Sequence, residues 1–74
     1  MRNDIGLNVC GLEPPEPMER VLDALSYMHT DQRLQMLIDR EPRPLYRILL
    51  NNGYFYETQL RSDGLFEVLI WHGH

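Results

Sequence analysis

Chemistry in this chain is concentrated in two short stretches and one thiol. Cys10 stands directly before Gly11-Leu12-Glu13-Pro14-Pro15-Glu16-Pro17, and a second charged, proline-bearing stretch, Asp39-Arg40-Glu41-Pro42-Arg43-Pro44, comes later. A cysteine becomes reactive when nearby positive charge depresses its pKa and solvent can reach it, and Arg40 and Arg43 are the candidates to supply that charge. Guanidinium groups beside a helix start suit phosphate, carboxylate or sulfur oxyanions, so Arg40, Arg43 and Arg47 mark a candidate anion site. Prolines delete amide donors at both stretches, and Glu13 and Glu16 repel anions at the first, which leaves only the second for such a site. The alternative use of the same charges is pairing: Glu13 and Glu16 are expected to face Arg40 and Arg43, as exposed ion pairs of small energetic weight. No nucleophile–base pair, phosphate-cradling glycine loop or coupled carboxylate pair is present, which points away from an enzyme. His29, His72 and His74 lack carboxylate or cysteine partners at ligand spacing, so neither a metal nor another cofactor is expected. Tyr27, Tyr46, Tyr54 and Tyr56 read as core and rim aromatics.

The elements that must position these groups follow from periodicity. Ile5, Leu7 and Val9 alternate with Gly6, Asn8 and Cys10, the two-residue period of a strand with one buried face, with Cys10 on the less buried side. Pro15, Glu16 and Pro17 suit a first helical turn, where missing amides cost little and acidic side chains meet the positive end of the helix dipole. Met18, Val21, Leu22, Leu25 and Met28 then fall at helical spacing. Leu34, Met36 and Ile38 alternate with Arg33, Gln35 and Leu37 as a second strand. The second proline stretch leads into Leu45, Ile48 and Leu49, a helix that closes near Asn51-Asn52-Gly53. Tyr54 to Leu60 is aromatic and β-branched enough for a third strand. Ser62-Asp63-Gly64 is a hairpin turn, Leu65 to Trp71 a fourth strand, and His72-Gly73-His74 is expected to fray.

The order is βαβαββ, an α/β two-layer arrangement in one small domain over 1–74 with its core about 5–71. Right-handed crossover makes the first two strands parallel, puts both helices on one face, and brings both proline turns to the carboxyl ends of those strands. Ligands of open α/β sheets usually bind at that end. The other face is left uncovered, with Leu37, Phe55, Leu69 and Trp71 as a possible partner or dimer surface.

Composition narrows the function classes. The 74 residues carry a net charge of −4, with seven arginines and no lysine, which argues against a general nucleic-acid binder. A single cysteine excludes an internal disulfide, and no apolar run approaches the roughly 20 residues of a membrane span. Met1-Arg2-Asn3-Asp4 lacks the features of a secretion signal, so a cytoplasmic protein is expected.

The run LNVCGLEPPEPMERVLDAL resembles the signature of the TusA/SirA-like sulfur-carrier proteins, in which a strand and Gly-Leu precede a cysteine and Pro-x-Pro opens the first helix. Gly11, Leu12, Pro15, Glu16 and Pro17 match position by position, and Pro14 occupies the place of the cysteine. With IDREPRPLYRILL at the second helix, the chain looks closest to a branch of that family known as a domain of unknown function, in which the cysteine is missing. The resemblance implies a two-layer sandwich with a mixed four-stranded sheet of order 1-2-4-3. It also implies that sulfur carriage as a persulfide is lost here, because proline has no nucleophile, and Asn8 stands where the carriers usually have aspartate. A non-enzymatic protein-binding or regulatory module is therefore the expectation, a monomer or weak homodimer working through Leu12 to Pro17 with Arg40, Arg43 and Arg47. Sulfur transfer through Cys10 and an anion sensor at the second helix start are the alternatives.

Overall fold

The computed structural model describes residues 4–73. Six elements follow one another: β1 (Ile5–Asn8), α1 (Glu16–Tyr27), β2 (Arg33–Ile38), α2 (Arg43–Asn51), β3 (Tyr54–Leu60) and β4 (Phe66–His72). The strands form one sheet in the order β1-β2-β4-β3. β1 and β2 run parallel, and β4 is antiparallel to both β2 and β3. This is the mixed sheet that the resemblance implied.

The alternation of side chains along each strand builds the core. Ile5, Leu34, Ile70 and Tyr56 form one row across the sheet, and Leu7, Met36, Val68 and Thr58 the next. Leu34, Met36, Val68 and Ile70 are buried in these rows, and the helices cover them with Val21, Leu25, Leu45 and Leu49. Both helices thus lie on one face. β4 is central and supplies two of the fully buried side chains, which accounts for the Val68-Leu69-Ile70 run in its sequence.

Neither helix start carries a side-chain cap; Pro15 and Pro42 hold the N-cap positions, and Pro17 and Pro44 lie within the first turns. Glu16 and Glu19 in the first turn of α1 compensate the dipole there. α2 ends where Gly53 adopts φ 82°, a conformation penalised for any residue with a Cβ, and where the Asn52 side-chain amide donates to the Ile48 carbonyl at 2.7 Å. α1 has no such glycine. It stops where Met28 turns extended and drops its side chain into the core.

The chain after the last turn differs from expectation. β4 begins at Phe66 and continues through His72, which pairs with Tyr54, and the Gly73 amide donates to the Gly53 carbonyl at 2.7 Å. His72 is therefore part of the sheet, because β3 starts early enough to pair with it, and Gly73 is tied to the turn before β3; His74 lies outside the described residues. The hairpin turn keeps only Gly64 at positive φ, 86°, and closes through Gly64 N–H to Arg61 carbonyl and Arg61 N–H to Leu65 carbonyl. That is a three-residue loop with a glycine bulge, so Asp63 stays in the ordinary region.

Candidate functional site

β1 ends at Asn8, whose side-chain oxygen accepts the Cys10 amide at 3.0 Å. Val9 then pairs with β2 through its amide and the Leu37 carbonyl, so the carboxyl ends of the two parallel strands stay side by side. Gly11 takes φ 79° at the bend. Its amide donates to Asp39 Oδ2 at 3.2 Å, a direct tie between the first proline turn and the second. The Pro14–Pro15 peptide is cis. Leu12 is half-buried against the core, while Glu13, Pro14, Pro15 and Glu16 are exposed and Pro17 is half-buried. Two rigid turns, one acidic and one with alternating charge, are thus held together at one end of the sheet.

The charges do not pair as the sequence suggests. Arg43 Nε contacts Glu41 Oε1 at 3.1 Å within its own turn, and among the described residues no ion pair joins Glu13 or Glu16 to Arg40 or Arg43. The reason is reach. Glu41 lies two residues from Arg43, so the backbone already brings the groups together, while the opposite turn projects its glutamates into solvent. Arg40 and Arg47 are exposed and make no ion pair among the described residues.

Glu41 also anchors a network that sequence inspection missed. Tyr46 Oη donates to Glu41 Oε2 at 3.2 Å and lies 2.7 Å from Thr58 Oγ1 on β3. A phenol has one proton to give, so with the carboxylate taking it the threonine hydroxyl donates to the phenol oxygen. The Tyr46 ring stacks on Tyr56 with centroids 4.2 Å apart and planes 4° from parallel. This chain fixes the start of α2 onto the edge strand. The only sequence signal is Glu41 five residues before Tyr46, which is not diagnostic.

Burial, the main cause, raises the Tyr46 pKa above 10.0, with the Glu41 carboxylate adding to the rise and the hydrogen bond from Thr58 opposing it. A raised folded-state value means the neutral phenol is favoured on folding. That stability is fully present below about pH 10 and is lost as pH climbs through the folded-state value. Tyr46→Phe is expected to cost about 1–2 kcal/mol in urea unfolding at neutral pH, since Glu41 and Thr58 both lose a partner. The gap between variant and wild type should narrow above pH 10. An unchanged unfolding midpoint would show that the network contributes nothing.

Cys10 sits in the turn after β1, half-buried, with no hydrogen-bond partner for its thiol among the described residues. His72 packs its ring 4.8 Å from Tyr54, so it belongs to the sheet rim. Among the described residues no group of three His, Cys, Asp or Glu side chains is arranged to hold a metal.

On the uncovered face the register sets Leu37, Leu69, Trp71 and Phe55 on one side of the sheet together with Gln35, Glu57 and Glu67. Sequence alternation did not reveal a groove of about 410 Å³ between the helices, lined by Leu22, Leu25, Ile48, Leu49 and Tyr54. It opens at the end of the molecule away from the proline turns. The helical spacing of Leu22 and Ile48 hints at it, but how far the helices splay depends on tertiary packing.

Residues 6–72 match the family described as "Uncharacterized conserved protein (DUF2249)". The chain belongs to this family. No curated protein is significantly similar to it. In three dimensions this DUF2249 domain is similar to the crystal structure of a SirA-like protein from Desulfitobacterium hafniense, with a TM-score of 0.81 and 25% identity, over 95% of this chain and 99% of that one. The DUF2249 chain therefore has a SirA-like fold. Among the described residues no helix is long and apolar enough to cross a membrane.

Proposed function

We propose that the chain is a non-enzymatic protein-binding or regulatory module from a branch of the SirA-like fold that lacks the carrier cysteine. Its working end is the pair of proline turns. The observation that carries this reading is the Gly11–Asp39 hydrogen bond, which locks two exposed, proline-stiffened turns into one surface whose Glu13, Glu16, Arg40 and Arg47 charges make no ion pair among the described residues. A surface already ordered before binding loses little entropy on association, so polar groups held on it convert efficiently into affinity. Pro14 at the first helix start supports the non-enzymatic half of the proposal, because it offers no nucleophile.

Sulfur transfer through Cys10 is the second reading, supported by the partly accessible thiol at the same end of the sheet. An anion sensor at α2 has less support: Glu41 occupies Arg43, and the flanking prolines remove donors that an anion would need.

The test is a photo-crosslinking amino acid placed in turn at Glu13, Arg40 and, as a control on the outer face of α1, Arg20, in cells that express the protein. A discrete protein adduct is expected from the first two positions and not from the third. Adding Asp39→Ala and Glu16→Arg should reduce its yield several-fold. Equal adducts from all three positions, or none from the turns, would remove the proposal.

A further inference from the structure

With both helices on one side, the opposite side of the sheet is bare across β2, β4 and β3. Leu37, Leu69, Trp71 and Phe55 lie on it; Phe55 is 50% exposed and meets Trp71 edge-on, with ring centroids 6.4 Å apart. Beside Trp71 and Leu69 the surface sinks into a depression of about 550 Å³, which Asp31 and Glu57 also line. The charges around it are uneven. Arg33 holds Asp4 at 2.9 Å, and Arg61 holds Asp63 at 3.0 Å with Glu67 at 3.9 Å, so the two arginines that the described residues place on this face are paired with carboxylates. Asp31 and Glu57 make no ion pair among the described residues. The result is an aromatic and aliphatic floor flanked by unbalanced negative charge.

We propose that this face docks a basic amphipathic helix of a partner protein, its apolar stripe on Leu37, Leu69, Trp71 and Phe55 and its arginines or lysines on Asp31 and Glu57. This surface is separate from the proline turns and does not depend on their role. Size selects a segment over a globular body. Four strands about 4.8 Å apart and seven residues rising about 3.3 Å each give a face on the order of 400 Å². A standard interface needs about 800 Å² per partner. The axes of three adjacent strands span about 10 Å, the diameter of one helix, and covering a bare sheet face with a helix completes the layering that such sheets adopt. Charge selects against a second copy, because each copy would bring the same carboxylate excess and a net charge of −4 to the contact. It selects for a basic segment, whose cations also gain from the Trp71 face.

Trp71 is the sole tryptophan, so its emission reports on the site without a label. The probe is a helical peptide of about four turns with leucines at i, i+4 and i+7 flanked by arginines, compared with the same peptide carrying glutamates in their place. At low ionic strength the basic peptide should give a saturable blue shift and the acidic one none. Backbone amide shifts should fall on β2, β4 and β3 and leave the first proline turn unmoved. Charge reversal at the two exposed positions, Asp31→Arg with Glu57→Arg, should weaken binding about tenfold, as should raised salt. Equal responses to both peptides, or none to the basic one, would overturn the proposal. The same shift from free arginine would mark a small-cation site instead. A concentration-dependent dimer that the double variant disperses would assign the face to a second copy.

Discussion

Leu34→Ala is expected to leave this protein close to its unfolding threshold. Leu34 is fully buried on β2, between Ile5 on one side and Ile70 on the other, beneath the helices. Truncating a leucine at such a site typically costs about 2–5 kcal/mol, the lost transfer energy plus that of the cavity left behind. A domain of this length has a total stability of about 4–11 kcal/mol at the usual density per residue. One substitution thus removes between a fifth and all of it. The midpoint of thermal unfolding should fall by roughly 10 °C or more. Leu60→Ala provides the comparison: Leu60 is 66% exposed near the end of an edge strand, and its loss should change stability by no more than about 0.5 kcal/mol. If the two variants unfolded together, burial beneath the helices would not be what makes Leu34 matter.

Incubation with a cysteine desulfurase and cysteine should leave the intact mass of the wild-type protein unchanged, where a working carrier would gain one sulfur atom. The transfer needs a thiolate that attacks the outer sulfur of the enzyme's persulfide, leaving the enzyme's own thiolate behind. Pro14 cannot supply one. Cys10 is half-buried, with its amide tied to Asn8. Mass spectrometry of wild type and Cys10→Ser gives an all-or-none reading. A single sulfur on the wild type, absent from Cys10→Ser, would transfer the chemistry to Cys10 and make sulfur relay the leading function. The docking surfaces would then be read as places where donor and acceptor proteins meet this one.

Much of the fold is legible without coordinates because strand and helix periods are local properties. Tyr54–Leu60 reads as a strand from its side-chain types, and Val21 with Leu25 reads as the buried face of a helix. The strand order is different in kind. No residue pattern in this chain states that β4 lies between β2 and β3; that came from the likeness of the Gly-Leu and Pro-x-Pro signature to a known family, and the sheet has that order. The proximity of the two proline turns also follows from sequence, through the handedness of the crossover. Their tie through Gly11 and Asp39 does not, since it depends on one side chain reaching one amide across the gap.

By itself, then, the sequence determined the six elements and a proline without a nucleophile at position 14, which depend on residue type and short-range spacing, and, through the handedness of the crossover, the common end to which the turns come. Only the tertiary structure decided which charges pair and which remain free. Glu41 takes both Arg43 and Tyr46, which leaves Glu13 and Glu16 in solvent, and among the described residues Arg33 and Arg61 pair with carboxylates while Asp31 and Glu57 make no ion pair. It also decided that His72 belongs to the sheet. Ion pairs and edge pairing form over a few ångströms, and those distances are set by strand register and by the seating of each helix, which no local pattern encodes.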